Sequence, residues 1–570
     1  MRNLRLMTVA LAICVLPSLI AGQTLEDKVT EFTLRNGMKF IVVERHVAPV
    51  VFGAIIFKVG SVNEWDGVSG VSHMLEHMMF KGTKTVSTAS YSKERHYIEK
   101  EDEIAASISE LRHGIGTWRL DIFDDFSRNV ISMLDDGRKR EIGSDKQKEL
   151  AALISILESG ERVPSGTSQS PMLLADKGVD YFERYIRLKR KELELGQVMA
   201  DHRELILSEE LWDAYLQNGG RRLNAFTSND LTAYYVYLPS NRLELWMMLE
   251  SDRMKDPIFR EFYSERDVVA EEKRLDQNDP DEMLWDALMA TAFQASPYGR
   301  PVLGWMSDIQ NMTKQDLISH FERFYAPNNA IAMLVGDVDV ASARRMAERY
   351  FGRIPAGEPP DPVDTVEPEQ NGERRVTIEF PANSQVVIAY HVPVAPHPDS
   401  YPIQALASIL GEGRTSRLYK KIYEELELTS RPPYVSTEPG ERIDNLLVIQ
   451  ATPRQPHTTE EVEEAIYREI QELILAPPTE REVDRVKNRI DAAMVRTLGS
   501  NVGIAFNLGF SATVRGDWRA YMEDRERVKD VKRQEVSAVA RKYLIPQNRT
   551  VATLVKQEEG EIDDEAGTGE

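Results

Sequence analysis

The sequence is poor in cysteine, with Cys14 the only one among 570 residues. A disulfide framework is therefore excluded, and a hydrophobic core must hold the fold, which the 42% apolar composition can supply. Basic residues are also in deficit, because 70 Lys and Arg stand against 92 Asp and Glu, for a net charge of −22. This balance argues against nucleic acid as a partner.

Long hydrophobic runs are missing after the N-terminus, so no transmembrane span is expected. The one apolar run, Leu6 to Ala21, follows two arginines and ends in small residues. This pattern predicts a signal peptide over residues 1–22 and an exported, periplasmic protein. Cys14 faintly suggests a lipoprotein anchor, but it comes early and follows a bulky isoleucine. We favour ordinary cleavage, which removes the only cysteine.

Histidine is scarce too, yet two of the ten stand four apart in His73-Met74-Leu75-Glu76-His77. On a helix, residues four apart are offset by about 40°, so both imidazoles face one way and can share a metal. Glu76 lies about 60° to one side, where its carboxylate can reach a water on that metal. This is the inverted zincin order H-x-x-E-H. The alternative is two surface histidines beside an ordinary helix carboxylate.

A catalytic zinc site normally has three protein ligands, so a third group is needed. On the predicted helix from 263 to 276, Glu265 and Glu272 are seven apart and fall within about 20° of each other. We expect Val268, Val269 and Leu275 on the same side, and a carboxylate in an apolar face is costly unless it is paired or metal-bound.

Glu271 points away from that face, where water solvates it better. We therefore predict that Glu272 is the third ligand and that Glu265 orients a histidine or another ligand. For Glu265, an ordinary helix carboxylate remains the alternative.

Four stretches together resemble the M16 (pitrilysin, or inverzincin) metallopeptidases. The resemblance implies hydrolysis of peptide bonds, with one Zn²⁺ held by His73, His77 and Glu272, and Glu76 as general base. It also implies that Asn224 and Ala225 lie beside the substrate on an edge strand, although Asn224 could simply begin a strand. The four stretches are His73 to Thr83, Asn224 to Tyr235, Glu265 to Glu272 and Tyr298 to Gly304.

The resemblance implies an α+β fold of two homologous α/β sandwich domains, with mixed and largely antiparallel sheets, that form half of a clamshell. Glu272 follows His77 by 195 residues, which is much farther than is usual in the family. Helical spacing and abundant Glu, Lys and Ala predict that a helical hairpin is inserted at about 90–210. The expected segments are a signal peptide (1–22), a catalytic domain (28–355), a linker (356–374), a C-terminal domain (375–557) and an acidic disordered tail (558–570).

The second half lacks an Arg and Tyr pair that completes the substrate site in some members of the family. Counting from Arg417-Leu418-Tyr419 places Tyr423 and Ser430 at those two positions. We therefore expect a heterodimer with a zinc-less M16 subunit that carries the pair, with a homodimer as the alternative. The implied function is an exported zinc-dependent endopeptidase that acts on peptides or unfolded polypeptides. A non-catalytic structural or partner subunit is the competing interpretation.

Overall fold

The computed structural model describes residues 25–115 and 178–557, and its strands form two sheets. The predicted signal peptide, the predicted tail and the middle of the predicted insertion lie outside the described residues. The strands of the first sheet are β1 (Val29–Thr33), β2 (Lys39–Glu44), β3 (Val50–Phe57), β4 (Arg221–Thr227), β5 (Thr232–Pro239) and β6 (Ala330–Gly336). Those of the second sheet are β7 (Arg374–Phe380), β8 (Gln385–Val392), β9 (Tyr434–Glu438), β10 (Asn445–Ala451) and β11 (Arg549–Lys556).

Helices cover both sheets, and within the described ranges none combines the length and apolarity that crossing a membrane requires. Those before residue 355 are α1 (Val71–Met78), α2 (Tyr91–Ile115), α3 (Gly178–Arg203), α4 (Glu210–Gln217), α5 (Leu243–Lys255), α6 (Phe262–Asp276), α7 (Pro280–Ala292), α8 (Met306–Asn311), α9 (Lys314–Phe324) and α10 (Val340–Tyr350). Those after it are α11 (Ser400–Gly411), a π-helix (Tyr419–Glu425), α12 (Thr459–Leu475), α13 (Glu480–Leu498), α14 (Asn501–Val514), α15 (Ala520–Asp530) and α16 (Arg533–Tyr543).

The two sheets share one topology. From β2 onward the first sheet runs β2-β6-β3-β5-β4, and the second runs β7-β11-β8-β10-β9, which is the same order of first, fifth, second, fourth and third strand. In both sheets the first and fifth strands pair in parallel, and the other neighbours are antiparallel. The predicted fold class is confirmed, and the repeated order is the sign of internal duplication that sequence identity between the halves does not provide.

Each half contributes one helix to the sheet of the other half. Helix α14 packs Ile504 and Leu508 against Phe52 and Met333 of the first sheet. Helix α7 packs against β7, β8 and β11 of the second sheet, and Leu288 lies in that core. Separating the two halves would expose the apolar surfaces of both helices to water. The packing of α7 and α14 therefore holds the halves together, in addition to residues 356–374 that connect them.

The described part of the predicted insertion consists of α2 and α3, which pack against each other. The root of this helix pair contains a buried charged cluster. His202 lies 2.7 Å from Glu101 and 3.2 Å from Glu94, and Arg260 donates to Glu94 at 2.5 Å. Arg260 also donates to the carbonyl oxygen of Lys81 at 2.6 Å, so this cluster fastens α2 to the loop that follows α1.

This cluster should make the root of α2 and α3 sensitive to pH. Burial would lower the pKa of His202, but hydrogen bonds to Glu101 and Glu94 raise it from 6.5 to about 9. Because the folded pKa is the higher one, the stabilisation is complete below pH 6.5 and is lost as the pH rises through 9. A shift of this size corresponds to about 3 kcal/mol.

Hydrogen exchange of α2 should therefore speed up between pH 7 and pH 9.5, beyond the intrinsic effect of pH, and this excess should disappear in His202→Gln. His457→Gln is the matched control, because His457 makes an exposed contact of 2.8 Å with Glu461. An equal excess in wild type and His202→Gln would contradict the assignment.

Candidate metal centre

Helix α1 is held at its N-terminus by a buried carboxylate. Glu64 accepts hydrogen bonds from the backbone amides of Gly70 and Ser72, each at 2.8 Å. Burial raises the pKa of Glu64 to about 7 in spite of these bonds. Met74, Leu75 and Met78 lie in the core on the apolar face of α1, so the helix has one orientation available to it.

Two glycines allow the start of α1 to contact the loop before α8. Gly70 has φ of 85°, and a Cβ there would lie 2.2 Å from the carbonyl oxygen of Leu303. Gly304 has φ of 87°, and a Cβ there would lie 2.3 Å from the carbonyl oxygen of Ser69. Only glycine tolerates both the positive φ and the close backbone contact at these two positions. The 298–304 stretch therefore packs directly against the start of the helix that carries the histidines.

The side chains of His73, His77 and Glu272 converge between α1 and α6. The Nε2 atoms of His73 and His77 lie 3.9 Å and 3.6 Å from the Oε2 atom of Glu272. One ligand atom from each residue falls within 4.8 Å of the others, and in residues 25–115 and 178–557 this is the one cluster suited to a metal ion. Ligands about 2.0–2.1 Å from a tetrahedral ion lie about 3.4 Å apart, so small side-chain adjustments would accommodate zinc.

The protonation states of the histidines fit a metal. Burial lowers the pKa of His73 to about 3, which leaves its imidazole neutral and its Nε2 atom able to coordinate. The pKa of His77 is raised. Burial alone would lower it, but the hydrogen bond to Glu265 and the charge of Glu272 outweigh burial. Three carboxylates, those of Glu76, Glu265 and Glu272, surround His77. They favour a positive charge at this position, which either a proton or a metal ion can supply.

Glu265 lies where an orienting carboxylate was predicted. Its Oε1 atom is 2.9 Å from Nδ1 of His77, so the Nδ1 proton can be donated to Glu265 while Nε2 faces Glu272. Lys81 holds the other oxygen of Glu265 at 2.6 Å. Burial would raise the pKa of Glu265, but His77 and Lys81 together lower it to about 2. The sequence interpretation missed the role of Lys81, although it belongs to the stretch that follows the histidines.

Glu265→Gln should weaken zinc binding by about 10- to 100-fold, which is the usual cost of losing a partner behind a metal-bound histidine. The reason is that a neutral amide stabilises the imidazole of His77 less than a carboxylate does. Competition with a chromophoric chelator measures this affinity.

Glu261→Gln is the matched control for this experiment. Glu261, directly before α6, lies 3.5 Å from Lys81 and shares that cation with Glu265, but of these two carboxylates only that of Glu265 contacts His77. Equal losses in the two variants would mean that local charge, rather than the contact with His77, controls the affinity.

Glu76 is buried beside the three potential ligands, and Thr227 of β4 donates a hydrogen bond of 2.7 Å to its Oε2 atom. Burial raises the pKa of Glu76, while the hydrogen bond from Thr227 opposes the rise. A carboxylate with a raised pKa close to a potential metal position is suited to moving a proton. Thr227 was missed as a partner of Glu76, although the stretch after Asn224 contains it.

The prediction that Val268, Val269 and Leu275 form an apolar face of α6 is wrong for two of these three residues. Val268 is 46% exposed and Leu275 is 71% exposed, and Val269 alone is buried. These side chains cover a wide arc of the helix, and Leu275 lies near its C-terminal end, beyond the packed core. Glu272 thus faces the histidines from the rim of the core, while the side chain of Glu271 is 68% exposed, as expected.

Asn224 and Ala225 lie on β4, the edge strand of the first sheet in the described chain. Its one partner there is β5, so the other side of its backbone has groups free for an added strand. The side chain of Asn224 is exposed and that of Ala225 is buried. Contact with a substrate stays a prediction.

The positions of the missing Arg and Tyr pair are used for internal contacts. Tyr423 packs its ring 5.1 Å from that of Tyr419, and Ser430 contacts the carbonyl oxygen of Thr452. Tyr423 supplies no guanidinium at the position of the Arg, and Ser430 supplies no phenol at the position of the Tyr. The second half therefore lacks these groups at the expected positions.

Two family models match the chain, one on either side of a gap at 103–206 and the other over residues 311–490. The model described as insulinase (peptidase family M16) matches residues 39–102 and 207–305. The one described as the peptidase M16 inactive domain matches residues 311–490. The chain belongs to peptidase family M16. The first match contains His73, Glu76, His77 and Glu272, and its gap at 103–206 falls within the predicted insertion at about 90–210 in this M16 chain.

Curated and solved M16 relatives are distant in sequence. The chain is 27% identical to zinc protease PqqE of Helicobacter pylori over 60% of its length and 78% of that protein. It is 24% identical to the mitochondrial-processing peptidase subunit beta of Lentinula edodes, over 59% of the chain and 75% of that protein. The crystal structure of a protease from Helicobacter pylori matches with a TM-score of 0.68 at 22% identity, covering 93% of the chain and 99% of that structure.

Proposed function

We propose that the protein is an exported zinc-dependent endopeptidase that hydrolyses peptide bonds in peptides or unfolded polypeptides. The observation that carries this proposal is the convergence of His73, His77 and Glu272, from helices 195 residues apart in sequence, beside the buried Glu76. Three nitrogen and oxygen donors with room for a water are the usual composition of a catalytic zinc site. Relatives named as zinc proteases give independent support.

Each residue near this centre would have a separate task. A bound zinc ion would polarise the scissile carbonyl group and acidify a water molecule. Glu76 would accept a proton from the attacking water and deliver it to the departing amine. The hydrogen bond from Thr227 orients Oε2 of Glu76 for this transfer. The open edge of β4 would align an extended substrate through its backbone.

A non-catalytic subunit is the competing proposal, since the second half matches a model described as an inactive domain. That match covers residues 311–490, whereas the four residues of the candidate centre lie in the stretches matched by the insulinase model. A subunit without activity has no need to keep Glu76 buried beside three potential metal ligands. The donor set therefore favours the enzyme.

We further propose that a second M16 subunit completes the substrate site, and that the assembly works in the periplasm. The use of Tyr423 and Ser430 for internal contacts supports the first point, because the Arg and Tyr pair must then come from elsewhere. A zinc-less subunit that carries the pair is the preferred partner, and a second copy of the chain is the alternative. The apolar N-terminal run supports export.

The proposed function is tested with the full chain, purified with and without any subunit that co-purifies from its native host. Zinc analysis should find one ion per chain, and an unstructured peptide should be cleaved. A chelator should abolish cleavage, and zinc should restore it. Cleavage that survives complete removal of metal would refute the mechanism, and a fully active homodimer in size-exclusion chromatography would refute the heterodimer.

A further inference from the structure

Arg260 is a buried side chain that joins the two elements carrying the candidate metal ligands. It lies two residues before α6 begins at Phe262 and is 1% exposed. Its Nη1 and Nη2 atoms donate to the backbone carbonyl oxygens of Lys81 and Thr83, at 2.6 Å and 2.7 Å. Because these carbonyls belong to the loop after α1, one guanidinium connects the end of the histidine helix to the start of the helix that carries Glu272.

The same two segments also pair through their backbones. The amide of Ile258 donates to the carbonyl oxygen of Gly82 at 3.1 Å, and Thr83 and Pro257 form an isolated antiparallel bridge. The spacing between α1 and α6 therefore depends on this paired stretch as well as on the direct packing of the two helices.

The inserted helix pair holds Arg260 in its orientation. Glu94 of α2 accepts from Nε of Arg260 at 2.5 Å and from Nη2 at 3.2 Å, and both side chains are fully buried. His202 of α3 lies 3.2 Å from the same carboxylate. Burying these charges is costly, and well-packed apolar side chains could join the elements as firmly. What an apolar side chain lacks is the rigid fork of donors that fixes the direction of a contact.

A second contact from α2 reaches the first turn of α6. The hydroxyl of Tyr263 donates to Oδ1 of Asp102 at 3.1 Å, and Lys314 of α9 lies 3.2 Å from the same carboxylate. Glu94 and Asp102 are about two helical turns apart on α2. The inserted pair thus contacts both the segment that leads into α6 and the beginning of that helix.

We propose that the inserted helix pair is a structural support of the metal centre, with Arg260 as a positioning residue that sets the separation of the histidines from Glu272. Glu94 orients the guanidinium, which fixes the backbone at Lys81, and the side chain of Lys81 holds Glu265 at 2.6 Å. Small errors in the placement of ligands weaken a metal site, because the ligands must stay close to one geometry. The inference rests on the proposed zinc site, but it does not require peptide cleavage.

The zinc affinity of the full-length Glu94→Gln chain tests the proposal. Glutamine keeps the shape of the side chain but leaves the guanidinium without its charged partner. We expect zinc binding to weaken by about 3- to 30-fold, the usual range for substitutions one step removed from a binding site. Competition with a chromophoric chelator measures the affinity, and circular dichroism shows that the compared samples are folded. Unchanged affinity in the folded variant would overturn the proposal.

Tyr263→Phe is a milder second variant, which keeps the proposal testable if Glu94→Gln does not fold. It removes only the hydroxyl group that contacts Asp102. Zinc binding should weaken in the same direction, by at least about twofold. If neither variant changed the affinity, the inserted pair would be a surface addition whose root serves the fold alone.

Two variants provide matched controls, and both should bind zinc as the wild type does. Glu192→Gln breaks a contact of 2.9 Å with Arg112 that joins α2 to α3 farther from the root. Glu482→Gln breaks a partly buried ion pair of 2.8 Å with Arg417 in the second half, and it controls for loss of stability alone. Losses of zinc affinity as large as that of Glu94→Gln in these controls would overturn the proposal.

The order of the contacts gives a further test. Because Glu94 acts through Arg260, the double variant Glu94→Gln/Arg260→Gln should lose no more zinc affinity than Arg260→Gln alone, and additive losses would contradict this order. With cobalt(II) in place of zinc, the visible spectrum reports the coordination geometry. At saturation it should differ between the wild type and Glu94→Gln, whereas a change in stability alone would leave the bands where they are.

The outcomes separate this inference from the proposed function. If the wild-type chain bound no zinc, both would fail together. If the wild type bound one zinc ion and the folded variants bound it equally well, only the role of the inserted pair would be refuted.

Discussion

Glu76→Gln should retain zinc and lower peptide hydrolysis by about 100- to 10,000-fold, which is the usual contribution of a general acid–base group. The amide keeps the size of the side chain and can still accept the hydrogen bond from Thr227. It cannot take a proton from the attacking water. Steady-state cleavage of a fluorogenic peptide together with metal analysis of the same sample measures both parts of the prediction.

Glu348→Gln, on the exposed side of α10, is a control for the loss of one negative charge. It should leave both zinc content and turnover unchanged. If Glu76→Gln hydrolysed peptides at the wild-type rate, Glu76 could not be the base. If that variant lost zinc as well, its activity would not report on proton transfer.

Glu272→Ala should weaken zinc binding by more than about 100-fold, which exceeds the usual effect of removing a group behind a ligand. Two histidines alone hold zinc poorly, because three protein ligands are the norm at catalytic sites. Cleavage activity should fall with the zinc content and recover in part at high zinc concentration. Competition with a chromophoric chelator gives the affinity.

The neighbouring residue on α6 provides a close control for this variant. Glu271 is 68% exposed and forms an ion pair with Arg274, so Glu271→Ala removes the same charge from the same helix without reaching the histidines. It should bind zinc as the wild type does. Equal zinc affinity in Glu271→Ala and Glu272→Ala would show that the third ligand lies elsewhere.

Local spacing was sufficient to predict much of the first half. The Asn36-Gly37 dipeptide between two apolar runs predicts a hairpin. In the structure it joins β1 and β2 in an antiparallel pair, and Gly37 adopts φ of 86°, a conformation that costs glycine little. The four-residue spacing of His73 and His77 places their rings side by side, with centroids 4.6 Å apart. Both outcomes depend on a few consecutive residues, and periodicity predicts contacts at that range.

Glu272 shows where helical spacing stops being informative. The residue converges with the histidines as expected, yet two of the three apolar neighbours used to select it are exposed. Helical angle places side chains around an axis, but it does not say where the core ends. Packing of α6 against α1 and α8 decides that, and these helices lie far apart in the sequence.

By itself, the sequence determined the helix that carries His73, Glu76 and His77, the family resemblance and the lack of a disulfide framework, because motifs and composition are local properties. Only the tertiary structure decided that Glu265 bridges His77 and Lys81, that Thr227 contacts Glu76, and that the two halves exchange α7 and α14. These features join residues far apart in the chain, and their positions follow from how the sheets and helices pack.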